Sequence, residues 1–104
     1  MESTVPTIPK KIMGAGGSIT VTFRKPKFQD GIPKTEDSWA TWDDATRIIE
    51  IDSGASAVHR WRVFYHELTH AMLADSGLEN IFDDRTVEAI CDANATARMR
   101  ERFG

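Results

Sequence analysis

Residues 66–70 of this 104-residue chain read His-Glu-Leu-Thr-His, inside a stretch from Ala55 to Asp75 whose apolar residues recur at helical spacing. On a helix, positions i and i+4 share a face, with Cβ atoms roughly 6 Å apart. The rings of His66 and His70 can therefore reach one common point, while Glu67 stands about 100° further round. The apolar stripe of Val58, Trp61, Phe64, Tyr65, Leu68 and Met72 falls on roughly the opposite side. Histidines buried only for packing would sit within that stripe. These two face a second surface instead, where another element must supply a partner.

A second helix meets that demand. Asp83 or Asp84 can cap its start, and it runs to about Arg102 with Arg98, Arg100 and Arg102 favourable in its last turn. Val87, Ile90, Ala93 and Ala97 are its expected packing face. Ser53 or Ser56 caps the first helix, and Gly77 follows its end. The short connection from Gly77 to Ile81 makes the two helices antiparallel neighbours.

Upstream, Ser18 to Arg24 alternates, with Ile19, Val21 and Phe23 on one side, and reads as a half-buried strand. Ser38 to Trp42, a turn over residues 43–46, and Arg47 to Asp52 read as a hairpin. Lys25 to Asp37 carries Pro26, Gly31 and Pro33 and reads as a loop. Residues 1–17 read as a flexible arm. The expected fold is α+β: one domain over residues 18–104, with a small N-terminal antiparallel or mixed sheet packed on two long C-terminal helices.

Composition narrows the function classes. With 40% hydrophobic and 28% charged residues the chain suits one small globular domain. Thirteen basic against sixteen acidic residues give a net charge of -3, which disfavours a nonspecific nucleic-acid binder. Lys10, Lys11, Arg24, Lys25, Lys27 and Lys34 crowd the first third and read as solvated charges beside strands. Cys91 is the only cysteine, which excludes an internal disulfide and a multi-cysteine zinc cluster. No apolar run resembles a signal peptide or a membrane span, so the expectation is a cytoplasmic protein without a membrane or nucleic-acid partner.

Two imidazoles flanking a glutamate are the parts of a hydrolytic zinc site: two neutral nitrogen ligands and a carboxylate able to take a proton from water. Such a site needs a third protein ligand, and the second helix offers Glu88 and Asp92 one turn apart. With HELTH at 66–70 and ExxxD at 88–92, the chain resembles the gluzincin branch of the zinc metallopeptidases. It is similar, more closely, to small HExxH proteins carried by bacteriophages and mobile elements. That similarity covers most of the chain from Gly16: GGSITV at 16–21, the Trp42–Asp52 hairpin, HELTHAMLADSGL at 66–78 and EAICD at 88–92.

The resemblance implies a minimal zincin-like fold and one Zn2+ per chain held by His66, His70 and Glu88. It implies that Asp92 orients the ring of His66. Zinc lowers the pKa of a bound water from 15.7 to about 7, and the resemblance implies that Glu67 acts as general base in the hydrolysis of a peptide bond. A peptide or protein substrate is implied, in the cytoplasm of a bacterial host. The strand around Trp39 to Trp42 can align an extended peptide by main-chain pairing.

One departure opens an alternative. Gluzincin peptidases usually add a downstream Tyr or His that steadies the oxyanion, and neither residue type follows His70. Tyr65 is expected to turn toward the core, leaving His59, Arg60, Arg62 and Arg85 as substitutes. Losing an oxyanion donor costs about 10²–10³ in rate. The alternative is a non-cleaving, metal-stabilised protein-binding module such as a phage regulator. His59, about 10 Å from His66 along the helix, reads as a rim residue. Cys91 reads as a small buried hydrophobe, and Glu79, Asp83 and Asp84 as capping or loop residues. Trp39, Trp42 and Trp61 read as core or groove lining.

Overall fold

The computed structural model describes residues 5–25 and 39–104. Its strands are β1 (Lys11–Gly14), β2 (Gly17–Arg24), β3 (Ala40–Asp43) and β4 (Ile48–Asp52). The helices are α1 (Ala57–Asp75) and α2 (Asp84–Phe103), joined through a 3-10 turn at Leu78–Asn80. The four strands form one mixed sheet in the order β1-β2-β4-β3. β2 and β4 run parallel, and the two outer pairs are antiparallel. The architecture is α+β, a small N-terminal sheet against two C-terminal helices. The expected loop at Lys25–Asp37 and the start of the hairpin at Ser38 lie almost wholly outside the described residues.

Each helix starts where its side chains satisfy free backbone N–H groups. Ser56 Oγ accepts from His59 N–H at 3.2 Å, which selects Ser56 over Ser53 as the cap of α1. Asp83 Oδ1 accepts from Thr86 N–H at 2.7 Å and caps α2. Gly77 follows α1 at φ 77°, a left-handed conformation that ends the helix without a Cβ clash.

The core lies between the sheet and α1. Ile19, Val21, Ile49 and Ile51 point from the sheet onto Trp61, Val63, Phe64 and Ala71, all buried. Contacts between the helices run in opposite chain directions: Arg62 reaches Thr96, His66 reaches Asp92, and His70 reaches Glu88. The helices are therefore antiparallel, as the short connection requires.

Three expectations are corrected. Residues 5–17 are not a loose arm. Lys11–Gly14 pairs with β2 through a two-residue turn, Ile8 is buried, and the Trp61 indole donates to the Pro6 carbonyl at 2.7 Å. Phe23 is exposed at the end of β2, with the Arg60 guanidinium 5.7 Å over its ring. The stripe of α1 also loses its ends, because Val58 and Met72 are exposed. Covered by the sheet on one side and α2 on another, α1 instead buries His66, Glu67 and Thr69 together with its apolar residues.

One clamp ties three elements together. Arg47 leaves the β3–β4 turn in a left-handed conformation, φ 55°. Its guanidinium forms two bonds to Asp75 at the end of α1, at 2.8 and 2.9 Å, and one to the Gly17 carbonyl at 3.2 Å. Gly16 N–H also donates to Asp75 at 2.9 Å, and a Cβ on Gly16 would lie 2.6 Å from that carboxylate. The paired Arg47 guanidinium, helped by the Gly16 amide, holds the Asp75 carboxyl at about 2, below its ordinary 3.8. A depressed carboxyl stabilises the fold above its ordinary pKa, and that contribution fades as pH falls toward the folded value. Thermal melts should therefore show wild-type stability dropping more steeply below about pH 4 than that of Asp75→Asn. Parallel pH profiles for the two proteins would contradict the clamp.

Candidate metal centre

His66 and His70 leave α1 one turn apart, with ring centroids 5.1 Å apart. α2 lays Glu88 against both. Its Oε2 lies 3.1 Å from His66 Nε2, and its Oε1 lies 2.8 Å from His70 Nε2. The remaining ring nitrogens also meet carboxylates. His66 Nδ1 is 2.9 Å from Asp92 Oδ1, and His70 Nδ1 is 3.2 Å from Glu79 Oε1. Glu67 is buried beside them and borders the same cavity as His70 and Glu88.

This arrangement has too few protons. Two neutral imidazoles carry one N–H each, yet four nitrogen–carboxylate contacts are present. Two of those contacts bring a lone pair against a carboxylate oxygen unless extra positive charge lies between them. His66 makes the point sharply. Its side chain is 1% exposed, and both ring nitrogens are buried without a well-aligned hydrogen bond. A buried polar atom left in that state costs about 1–3 kcal/mol. Protonation of both rings or a shared cation would remove the conflict.

The donors suit a divalent cation. A tetrahedral zinc ion with bonds of about 2.0–2.2 Å spaces its ligand atoms about 3.4 Å apart. The two Nε2 atoms stand slightly closer than that to Glu88, within reach of small rotations. Cys91 is a second possible third donor. The ligand atoms of His66, His70 and Cys91 all lie within 4.8 Å of one another. Cys91 is fully buried against Leu73 and Val87. Burial foremost, and then the charges of Glu88, Glu67, Glu79 and Asp92, push its thiol up to about 12. Glu88 lies 3.1 and 2.8 Å from the two ring nitrogens and opens to the cavity, so it is the donor compatible with an accessible site.

That cavity, of about 380 Å³, lies between β3 and the helices. Ala40, Thr41 and Trp42 form one wall, and Glu67, His70, Glu79 and Glu88 the other. β3 is an edge strand among the described residues. Its outer backbone edge can pair with an added strand beside the histidines. No Lys, Arg or Tyr borders this cavity among the described residues. Arg60 is engaged by the Ser53 and Ala55 carbonyls, Arg62 by Thr96, and Tyr65 Oη accepts from Arg102 Nε at 2.8 Å. His59 stacks edge-on against Trp39 at 5.3 Å. A separate cavity of about 320 Å³ involves Met13, Ile19, Leu68 and Met72 and includes neither histidine.

Sequence reasoning brought together His66, Glu67, His70, Glu88 and Asp92, and all five converge here. It read Glu79 as a loop residue; the 3-10 turn carries it onto His70. It also mistook the packing face of α2. Ala93 and Ala97 are exposed and Ile90 only partly buried, whereas Val87, Cys91 and Ala95 are buried. Asn94 donates to Thr69 Oγ1 at 2.7 Å across the same seam. No family model, curated protein or solved structure matches the chain. No helix among the described residues is long and apolar enough to cross a membrane.

A thiol raised from 9.0 to about 12 is almost wholly protonated at mildly alkaline pH. In the metal-free folded protein Cys91 should react with dithionitrobenzoate at least about 10-fold more slowly than in denaturant. Equal rates in the two states would place the thiol at the surface.

Proposed function

We propose that this protein is a zinc-dependent metallopeptidase. The observation that carries the reading is the Glu88 carboxylate lying against the Nε2 atoms of both His66 and His70. Those three groups are the protein ligands in this proposal, and Asp92 holds the ring of His66. The donor set, the helical HExxH and the downstream ExxxD support the gluzincin-like resemblance. A zinc ion held there would polarise a carbonyl and bring the pKa of a bound water to about 7.

The chain supplies the remaining parts. Glu67 is the general base: it accepts a proton from the attacking water and returns it to the leaving amine. Its burial at the cavity wall keeps bulk water from competing for that transfer. The edge of β3 aligns an extended peptide across the cavity, and Trp42 and Thr41 contact its side chains. The acidic wall bears no fixed positive charge among the described residues, which suits a site built to hold a cation.

The lack of Lys, Arg and Tyr among the described residues around the cavity favours a second reading. In that reading the metal braces α1 against α2, and the same edge strand captures a protein partner without cutting it. Glu67 separates the two readings.

Zinc-loaded wild-type protein should cleave members of an extended-peptide library. Glu67→Gln should bind zinc as tightly while cleavage falls by about 10²–10⁴. His70→Ala should lose zinc in a chelator-competition titration. Mass spectrometry of the library after incubation reads the first outcome. Identical processing by wild type and Glu67→Gln, or none by either, would remove the catalytic assignment.

A further inference from the structure

Glu79 lies outside the HExxH…ExxxD pattern, yet it makes the most regular contact to either ring. Its Oε1 lies 3.2 Å from His70 Nδ1 with hydrogen-bond geometry. The side chain reaches the ring from a third element, the 3-10 turn between the helices. Gly77, at φ 77°, breaks α1 seven residues after His70 and swings that turn back over the helix end. Tyr or Lys in place of Glu79 would supply no carboxylate acceptor, and neither helix offers another carboxylate to Nδ1 of His70 among the described contacts.

The contact sets the chemistry of the opposite nitrogen. A carboxylate at Nδ1 draws the single proton of a neutral imidazole to that atom. Nε2 then keeps its lone pair for a cation lying between it and Glu88, whose Oε1 is 2.8 Å away. Asp92 Oδ1 lies 2.9 Å from His66 Nδ1, a close contact without hydrogen-bond alignment. Each histidine is thus backed by its own carboxylate, one from α2 and one from the turn.

We propose that Glu79 is a positioning residue for His70, fixing its proton on Nδ1 and presenting Nε2 as a ligand. The role rests on the metal reading of the site. Such partners raise ligand basicity and restrict ring rotation, and their loss typically weakens metal binding by about 10–100-fold.

The test compares wild type, Glu79→Ala and Glu79→Gln with two readouts. Long-range 1H–15N correlation spectra of the metal-free proteins, each also carrying Glu88→Ala so that no carboxylate competes at Nε2, report which His70 nitrogen carries the proton. Competition with a chromophoric chelator reports zinc affinity. Glu79→Ala should release the His70 proton from Nδ1 and weaken zinc binding about 10–100-fold. Glu79→Gln retains an accepting oxygen and should recover most of both. A Glu79→Ala protein with an unchanged His70 tautomer and unchanged zinc affinity would overturn the proposal, even if it melts at a lower temperature. If wild type binds no zinc, the metal reading fails. The spectra of the metal-free proteins then still decide whether Glu79 holds the ring.

Discussion

Two helices are packed here around a charge problem. The seam between α1 and α2 holds two imidazoles, and carboxylates from Glu88, Asp92 and Glu79 lie against all four of their nitrogens. Unpaired charges and mismatched lone pairs are expensive in such surroundings. Much else in the fold sets up this seam. The sheet covers one side of α1 and leaves the histidine side to α2. The antiparallel register then puts Glu88 opposite His70 and Asp92 opposite His66. Thr69 and Asn94 add a neutral hydrogen bond in the same seam and help to fix that register.

The C-terminal end of α1, five residues beyond His70, is anchored by different means. Asp75 is held by the Arg47 guanidinium and the Gly16 amide, which join the last turn of the helix to both hairpins. The Arg47 guanidinium also lies 5.5 Å over the Trp42 ring. Trp42 borders the cavity beside Glu67 and His70. One arginine therefore links the position of α1 to the wall that a bound peptide would meet. The clamp lies outside the candidate metal centre but holds its two sides in relation.

Much of this was legible in the sequence because it is local. Alternation in Ile19 and Val21 marks β2, the spacing of Trp61, Phe64 and Tyr65 marks α1, and the pairs Ser53 or Ser56 and Asp83 or Asp84 mark helix starts to within a few residues. The i, i+4 arithmetic put His66 beside His70 and Glu88 beside Asp92. What escaped was set by distant contacts. β1 is four residues long and depends on pairing with β2, so Lys11 to Gly14 carries little signal of its own. The α2 face was misread because its partner surface on α1 is partly polar. A search for apolar periodicity favoured Ile90, Ala93 and Ala97 over Asn94 and Ala95, although Cys91 was read correctly as buried. Glu79 was hidden because a left-handed glycine and a 3-10 turn, neither of them periodic, determine where it points.

The central claim is that His66, His70 and Glu88 form one ligand set, with Cys91 left in the core. X-ray absorption at the zinc edge tests it most directly. Protein loaded with one equivalent of zinc should show only nitrogen and oxygen neighbours, at about 2.0–2.2 Å, with the multiple-scattering pattern of two imidazoles. Replacing Glu88 with Ala should remove one short oxygen scatterer. A sulfur neighbour at about 2.3 Å would make Cys91 the third ligand. That result, or a spectrum without imidazole scattering, would contradict the account.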